Sequence, residues 1–438
     1  MTDLLKQAQD AVQQALDAGA QGAWARASRS RAVDFEARDG ALEKVQENTS
    51  RSLGLTLYVD GRYSTHSTTS LRPARVQSFV DDAVEMTRAL QPDEHRRLPD
   101  PALFDGRSDV DLQIVDAGVT ALSPDTRKEW LAALNDGGHG HDSVISVSGS
   151  VSTNHGEGAS ASSNGFEGTW DGTSVWLGCG VTVKGEGDSK PEGGMWIGGR
   201  RLDQLYGADE VAKQALQRAT DRLGTTKGPT AKTTMVVDPT VAGSLVRRLL
   251  GPANARSLSQ GRSFYKDLLG KKVLPEMLTI TDTPLLPGGL ASRHFDGEGI
   301  AAKNMPIVEA GVVKNLFVDT YYGLKTGMTP TTGGTSNVLV SPGVDKGLTE
   351  LIAEAGEGIY VSSWLGGNAD GTTGDFSLGI RGHLIEGGKL GAPVGEMNIT
   401  GNLLELFAQL ALIGNDPWPY RSTQVPTLVF DGVQFSGA

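Results

Sequence analysis

The first ninety residues begin and end with a helical pattern of apolar positions. Apolar residues between Leu4 and Leu16 recur every three or four positions, and Gly19 is the expected stop. Pro73 opens a second stretch of this kind, which runs to Leu90. These two periods predict amphipathic helices that each bury one face.

Between the two helices the hydrophobic period changes to two. Apolar and polar residues alternate before Asp39-Gly40 and again before Asp60-Gly61. The Asp-Gly pair is typical of tight turns between antiparallel strands, because both positions adopt the left-handed conformation easily. The pattern predicts four strands, so the first segment, residues 1–95, takes the order α-β-β-β-β-α.

A second α/β segment is predicted over residues 120–225, after a polar, proline-containing connection. Ser123-Pro124 is typical of a helix cap followed by a first-turn proline. Residues 143–184 alternate as strands rich in serine, threonine, valine and glycine, and another amphipathic helix is predicted over about 208–223. The glycine-rich stretch 185–199 is predicted to be a mobile loop. The second segment is expected to pack with the first.

A third region covers residues 229–438, after a compact linker at 225–230. It opens with a strand and with Asp238-Pro239, the predicted start of a helix, and then consists of short strands with glycine turns. A late helix is predicted over about residues 403–412. We therefore expect an α+β protein with antiparallel sheets, in which helices accompany the two-segment N-terminal part and the C-terminal part is β-rich and barrel-like.

Composition and charge narrow the classes of function. Glycine makes up 58 of 438 residues, about twice its usual share, which fits many turns. The chain has 40 basic and 52 acidic residues, a net charge of −12, which argues against direct nucleic-acid binding. The single cysteine, Cys179, excludes an internal disulfide. With neither a signal-peptide pattern nor a long apolar run, we expect a cytoplasmic protein with no membrane contact.

Metal-ligating spacings are weak in this sequence. No helical His-Glu-x-x-His motif occurs. His139 and His141 form the one close histidine pair, with His155 downstream; an extended His-x-His can chelate a metal, and a polar loop explains the pair equally well. We predict that this chain holds no metal, and the role of the pair stays open.

A possible nucleophile set lies in the third region. Ser263 and Lys266 match Ser-x-x-Lys, Lys325-Thr326-Gly327 matches Lys-Thr-Gly, and Thr335-Ser336-Asn337 resembles Ser-x-Asn. Together they imitate penicillin-binding sites, where a lysine activates the serine, although the order of the elements differs. An autonomous serine hydrolase that uses Ser263 and Lys266 is therefore an alternative function, beside the prediction that this chain has no catalytic residue.

Glycine clusters in the third region are the more informative candidates. Glycine allows another backbone to approach closely, so these clusters favour either tight barrel turns or a groove in which an extended peptide adds as a strand. On the second interpretation, the peptide-binding residues are Gly333, Gly334, Thr335, Asn337, Gly371, Thr372, Thr373, Gly374 and Asp375.

The same segments resemble the TldD/PmbA family, once described as modulators of DNA gyrase. The motifs are Thr372-Thr373-Gly374-Asp375-Phe376-Ser377, Asn398-Ile399-Thr400-Gly401-Asn402-Leu403 and Phe295-Asp296-Gly297-Glu298-Gly299. The resemblance runs from about residue 4 to residue 437. It implies a heterodimeric cytoplasmic peptidase acting on small or unfolded polypeptides. In such a pair the TldD subunit carries zinc on a His-Glu-x-x-x-His helix with a C-terminal cysteine, and the PmbA/TldE subunit lacks the metal site.

The stretch that corresponds to the zinc helix indicates which half this chain resembles. Residues 239–250 contain neither histidine nor glutamate, and residues 422–426 contain no cysteine, so the ligands that zinc needs are absent. The resemblance therefore implies a PmbA/TldE-like subunit that binds peptide and completes the chamber of a zinc-bearing, TldD-like partner. A homodimer, including a non-enzymatic adaptor, remains an alternative assembly.

Overall fold

The computed structural model describes residues 2–437, which form an N-terminal sheet with helices and a C-terminal barrel. The helices are α1 (Thr2–Asp17), α2 (Pro73–Arg88), α3 (Ala117–Thr120), α4 (Pro124–Gly138), α5 (Ala208–Thr220), α6 (Pro239–Leu250), α7 (Ala255–Ser259), α8 (Thr320–Thr326), α9 (Leu348–Ala355) and α10 (Leu403–Ala408). The N-terminal strands are β1 (Gly22–Arg38), β2 (Ala41–Val59), β3 (Arg62–Thr68), β4 (Val144–Ser162), β5 (Glu167–Val183) and β6 (Glu192–Gly199).

The C-terminal strands are shorter and more numerous. They are β7 (Thr226–Lys227), β8 (Ala231–Val237), β9 (Ile280–Asp282), β10 (Met305–Glu309), β11 (Val312–Val313), β12 (Val338–Val340), β13 (Gly358–Ala369), β14 (Asp375–Glu386), β15 (Lys389–Asn402), β16 (Leu410–Ile413), β17 (Thr423–Gln424) and β18 (Leu428–Ser436).

The N-terminal strands form one antiparallel sheet in the order β3-β2-β1-β4-β5-β6. The two sequence segments meet at its centre, where β1 pairs with β4 from Trp24 opposite Ser162 to Arg38 opposite Ser148. The first segment has three strands rather than the predicted four, because β1 and β2 run unbroken for 17 and 19 residues. The Asp-Gly turn after β1 is confirmed, with positive φ at both Asp39 (49°) and Gly40 (76°).

Helices cover only one face of this sheet. Helices α1 and α2 pack on one end, against residues such as Ala25 and Leu55. Helices α4 and α5 pack on the other end, against residues such as Phe35 and Leu177. Because side chains alternate along a strand, every second residue of these strands points to the opposite face, where none of these four helices packs.

The prediction of a mobile loop over residues 185–199 is wrong for the second half of this stretch, which forms the edge strand β6. Its glycines lie where no side chain fits. A Cβ on Gly193 would overlap the backbone of α5, and a Cβ on Gly198 would overlap the indole of Trp176. The composition of this strand therefore follows from close packing on both faces of the sheet.

The C-terminal region contains a closed five-stranded barrel. Neighbouring strands in it follow the order β18-β8-β13-β14-β15, and the pairing of β18 with β15 closes it. The barrel interior belongs to a core cluster that includes Met235, Leu378, Ile399 and Phe430. The predicted fold class is therefore confirmed. The late helix is shorter than predicted: α10 ends at residue 408, and β16 follows because residues 410–413 pair with β18.

A smaller sheet in the order β11-β10-β9-β12-β17 lies beside the barrel together with the long connections that surround it. Aromatic contacts join it to the N-terminal sheet, since Phe166 stacks on Trp24 and meets Phe295 edge to face. No helix within residues 2–437 is both long enough and apolar enough to cross a lipid bilayer.

Candidate functional site

The uncovered face of the six-stranded sheet is polar and built from small residues. Opposed pairs on this face include Ser30 with Gly156 and Ser150 with Gly178. The hydroxyl of Ser30 hydrogen-bonds that of Ser50 on β2 at 2.8 Å. Ser30 and Ser150 are half-buried and Ser50 is exposed, whereas Gly156 and Gly178 are buried, so the face offers hydroxyl groups rather than an apolar surface.

Tryptophan rings lie flat on this face, over glycines. The ring of Trp196 covers the positions where Gly178 and Gly194 would carry side chains, and Trp170 lies in the same way over Gly158. Trp196 is 50% exposed, so its outer ring face is available to a ligand. Flat indoles among hydroxyl groups make a surface that accepts an extended chain through stacking and hydrogen bonds.

The predicted glycine loop at 333–337 is held by Arg293 and Asp296, two residues of a cavity that the sheet face also lines. The Asp296 carboxylate accepts hydrogen bonds from the Gly333 amide (3.0 Å) and the Thr332 hydroxyl (3.1 Å), and Arg293 donates to the Gly334 carbonyl (2.6 Å). These bonds fix the loop from behind. Gly334 remains open, because a Cβ added there would meet no atom within 4 Å.

Asn337, which the sequence placed among the peptide-binding residues, has no exposed surface. Its amide donates to the Ser292 hydroxyl (2.8 Å) and the Thr283 carbonyl (3.0 Å), and its oxygen accepts from the Ala291 amide (2.9 Å). In this conformation Asn337 supports the loop from below and cannot touch a ligand.

Of three cavities, two are lined in part by the sheet face and one by residues of the C-terminal region alone. One of about 930 Å³ is lined by Trp170, Arg293 and Asp296, and one of about 300 Å³ by Gly333, Gly334, Thr335 and Arg247. A third of about 560 Å³ lies at the β6 edge and includes Trp196 and Arg421. Arg293 and Asp296 hold the loop that lines the second cavity, so the first two adjoin along one wall.

The second predicted glycine cluster, Gly371–Asp375, forms the turn between β13 and β14. The Asn402 amide donates to the Thr373 carbonyl (2.8 Å) and to the Asp375 carboxylate (3.0 Å). Gly374 has a φ of +88°, and Gly371 packs against Pro252. Thr372, Thr373 and Asp375 are exposed, but this turn lines none of the three cavities.

The structure thus separates the two clusters that the sequence grouped together. Residues 251 and 254 line the cavity beside Gly333, whereas Pro252 between them contacts Gly371. The two glycine clusters therefore neighbour different residues of one short segment, 251–254. Whether either binds a peptide stays a prediction.

Arginines give the cleft a positive end. Partial burial lowers the pKa of Arg247, and the positive charges of Arg421 and Arg248 lower it further. Burial lowers the pKa of Arg222 to about 10, with smaller contributions from Arg381 and Arg218. The guanidinium groups of these arginines therefore lie close enough to repel one another.

Helix α6, which the resemblance equates with a zinc helix, offers no metal ligand. Within α6, Gly243 packs against the backbone of Thr423, 2.9 Å from where its Cβ would be, and the Arg247 guanidinium lies 3.5 Å from the same point. The Asp238 carboxylate, which caps α6, already accepts from the Thr240 amide (2.8 Å) and the Tyr360 hydroxyl. Cationic guanidinium groups cannot ligate zinc. No group of three or more histidine, cysteine or acidic side chains in residues 2–437 is arranged to hold a metal ion.

The geometry of Ser263 is that of a structural serine. Its buried hydroxyl donates to the Pro252 carbonyl (2.6 Å) and accepts from the Tyr265 amide (3.1 Å). Lys266 is exposed, and no hydrogen bond in the described part of the chain joins its amine to Ser263. A serine nucleophile needs a base within hydrogen-bond reach. Ser336 likewise donates to buried Asp282 at 2.9 Å.

The remaining candidates have local structural partners. His139 bonds the Asn135 carbonyl at the end of α4 (2.8 Å), and His141 bonds the Ser143 hydroxyl (2.7 Å). Cys179 is fully buried, and burial raises the pKa of its thiol to about 12, so it is protonated at neutral pH.

Sequence reasoning missed the residues that form the cleft. The Gly-x-Trp pattern at residues 194–196 could have indicated a strand on which a tryptophan ring lies flat over a glycine of the same face. The arginine group had no comparable signal, since its members are separated by almost the whole chain, from Arg38 to Arg421.

Comparisons with known proteins agree with the motifs. Residues 25–87, 118–223 and 230–437 match the PmbA/TldA metallopeptidase domain 1, central domain and C-terminal domain. The chain is 28% identical over 422 residues to metalloprotease PmbA of Escherichia coli O157:H7, covering 95% of this chain and 92% of that protein. It is 26% identical over 229 residues to a zinc metalloprotease TldD homolog of Saccharolobus solfataricus, about half of each chain.

Solved structures share the whole architecture. A protein of Bacteroides thetaiotaomicron described as a modulator of DNA gyrase is 38% identical, with a TM-score of 0.96 over 99% of this chain and 98% of that one. TldE of Thermococcus kodakarensis has the same fold, with a TM-score of 0.87 over 98% of this chain and all of the other, at 18% identity.

Proposed function

This chain belongs to the PmbA/TldD metallopeptidase family, and we propose that it is the PmbA/TldE-like subunit of a TldD–TldE-type heterodimeric peptidase. In this role it binds small or unfolded polypeptides in its interdomain cleft and closes the chamber of a TldD-like, zinc-bearing partner in the cytoplasm. Zinc in that partner would polarise the scissile carbonyl and activate water. The chain itself contributes binding and orientation.

The observation that carries this proposal is the chemistry of α6, which has two arginines and no histidine, cysteine or acidic side chain. Arg247 occupies the space between α6 and residue 423, where metal chemistry would need histidine, carboxylate or thiolate. A homologue that keeps the family fold and lacks the ligand set is suited to binding substrate rather than to hydrolysis. A substrate-binding role also fits a sheet face that offers hydroxyls, flat indoles and backbone without strong side-chain selectivity.

Partner identity is the first test. The tagged chain, purified from its native cells, is expected to bring down a similar-sized partner with a His-Glu-x-x-x-His helix and about one zinc per pair. Mass spectrometry and metal analysis of the same sample give both answers. Recovery of the chain alone, free of metal, would contradict the heterodimer and favour the homodimeric adaptor.

The second test addresses the cleft directly. Replacing Gly334 with valine adds bulk where nothing lies within 4 Å, so the fold should be unaffected while peptide access to the loop backbone is blocked. We expect roughly tenfold slower hydrolysis of an unfolded polypeptide by the complex, about the effect of one lost main-chain hydrogen bond. Unchanged hydrolysis would remove the 333–335 loop from the binding surface.

A third test addresses the alternative function, an autonomous serine hydrolase. Ser263→Ala, assayed for labelling by a fluorophosphonate, distinguishes a nucleophile from a structural hydroxyl. We expect no label on either the parent chain or the variant, because the Ser263 hydroxyl is buried and already bonded on both sides. A label on the parent that disappears in the variant would favour the autonomous hydrolase.

A further inference from the structure

The cavity at the β6 edge differs from the rest of the cleft in its charge. Four arginines line it, Arg38, Arg218, Arg222 and Arg421, and Glu192 is the one carboxylate among its described lining residues. The chain as a whole carries a net charge of −12. A local excess of arginine in an acidic protein concentrates anionic ligands at that point.

Most of these arginines lack a carboxylate partner. Arg218 donates to the Thr240 hydroxyl (3.1 Å) and Arg222 to the backbone carbonyl of Glu192, both neutral acceptors. Arg421 is exposed, and no side-chain hydrogen bond is formed by it within residues 2–437. Only Arg38 has an acidic partner, the exposed Glu43 at 3.1 Å.

Other charges around the cavity do not cancel this excess. Asp221 and Glu192 raise the pKa of Arg222, but their effect is smaller than that of burial and of the neighbouring arginines. Asp238 at the start of α6 keeps its negative charge, but it is not among the residues that line the cavity, and its carboxylate accepts hydrogen bonds from Thr240 and Tyr360. The first turn of α6, through Thr240 and Val241, adds the positive end of a twelve-residue helix to the cavity wall.

The shape and position of the cavity indicate the ligand. Its volume of about 560 Å³ suits a small group, and Ser148, Gly180 and Trp196 of the polar sheet face form its floor. A peptide lying along that face therefore reaches the arginines at one end of its path. Planar guanidinium groups pair with carboxylates through two parallel hydrogen bonds.

We propose that this cavity binds a carboxylate of the peptide, held by Arg222 and Arg421, and that it fixes one end of the substrate in the cleft. The proposal rests on the proposed peptide-binding function and adds a substrate class to it, namely peptides with a carboxylate. That carboxylate is the chain terminus or an acidic side chain near it.

The test uses fluorescein-labelled peptides of alanine, serine and glycine and the full chain, with binding followed by fluorescence anisotropy. One peptide ends in a free acid, one in an amide, and one in an amide preceded by glutamate. We expect the free acid to bind about tenfold more tightly than the plain amide, the effect of a charge-assisted pair. Tight binding of the glutamate peptide identifies a side-chain carboxylate as sufficient, and weak binding identifies the terminus.

Variants locate the effect. Arg222→Gln combined with Arg421→Gln should bring the free acid down to the affinity of the amide and leave the amide itself unchanged. Arg75→Gln, an exposed arginine on α2, is the matched control and should change neither. Because Arg222 is partly buried, Arg421→Gln alone is the second variant, with a smaller loss and an unchanged melting temperature.

The two levels of the hypothesis fail in different ways. Equal affinity for acid and amide, or full discrimination in the double variant, overturns the carboxylate site and leaves peptide binding intact. If none of the three peptides binds, the peptide-binding function itself is overturned together with this inference.

Discussion

The six-stranded sheet and the five-stranded barrel bury their faces in different ways. The barrel closes on itself and fills its interior with side chains such as Leu378, Ile399 and Phe430. The sheet buries one face under two pairs of helices and leaves the other to hydroxyls, glycines and flat tryptophans. The barrel interior is thus filled with side chains, and the accessible polar surface that a ligand needs is found on the sheet.

A core truncation in the barrel should give the largest effect on stability. Phe430 is fully buried and meets Phe407 edge to face with 5.6 Å between ring centroids. Phe430→Ala is expected to lower the free energy of unfolding by about 3–5 kcal/mol, measured by urea denaturation. Trp196→Ala on the half-exposed sheet face is the comparison, with a loss below about 1 kcal/mol. Equal losses would contradict the division between the two regions.

A side chain added beneath a tryptophan ring should lower the free energy of unfolding less than a truncation in the barrel core. A Cβ at Gly198 would overlap the indole of Trp176, so Gly198→Ala forces the ring to move. We expect a loss of about 1–3 kcal/mol and a shift in tryptophan fluorescence. The control is Gly334→Ala, at a position with free space, which should leave both the melting temperature and the emission unchanged. An unaltered spectrum in Gly198→Ala would show that the ring does not rest there.

The barrel turn at 371–375 provides a functional comparison with the cleft. Thr373 and Asp375 are exposed and hydrogen-bonded to each other at 2.9 Å. If the turn contacts peptide, alanine at either position should lower hydrolysis by the complex by up to about tenfold without dissociating it. Size-exclusion chromatography of the variant complex is the control. Full activity in both variants, together with a loss in Gly334→Val, would assign peptide binding to the cleft alone.

The smallest effect is expected from a buried acid beneath the cleft. Burial raises the pKa of Asp282, although bonds from Ser336 oppose the shift. A raised pKa in the folded state means that stability decreases as the pH rises through that range, since folding then disfavours the charged form. Asp282→Asn keeps an acceptor for Ser336 and should flatten this slope above about pH 4, the ordinary pKa of an aspartate. If the melting temperatures of the parent chain and of Asp282→Asn change with pH in the same way, the prediction is wrong.

Local signals were sufficient for much of the fold. The Asp39-Gly40 turn and the Ser123 cap follow from short-range chemistry, and the structure has both, with the Ser123 hydroxyl accepting from the Thr126 amide at 3.0 Å. Strand number in the first segment could not be predicted, because nothing in an alternating pattern indicates where a long strand bends or stops. The same limit applies to β6, whose glycines are explained only by the rings above them.

The site was less predictable than the fold, for a geometric reason. The glycine loops stand out in the sequence, yet in the structure the 333–335 loop lines one of the three cavities and the 371–375 turn lines none of them. The arginine cavity draws on residues from 38 to 421 and exists only once the sheet, α5 and α6 are in place. Barrel closure is equally non-local, since it depends on pairing of Asn398 with Ser436.

The central pairing of β1 with β4 has a consequence for synthesis on the ribosome. The strand partners Arg38 and Ser148 are 110 positions apart, and Trp24 and Ser162 are 138 apart. At ~5–20 residues per second, β1 emerges roughly 5 to 30 s before its partner. During that interval a 17-residue strand edge is unpaired, which is a hazard for association with other nascent chains. Its Arg29, Arg31 and Asp34 carry charges that oppose such association while β4 is being made.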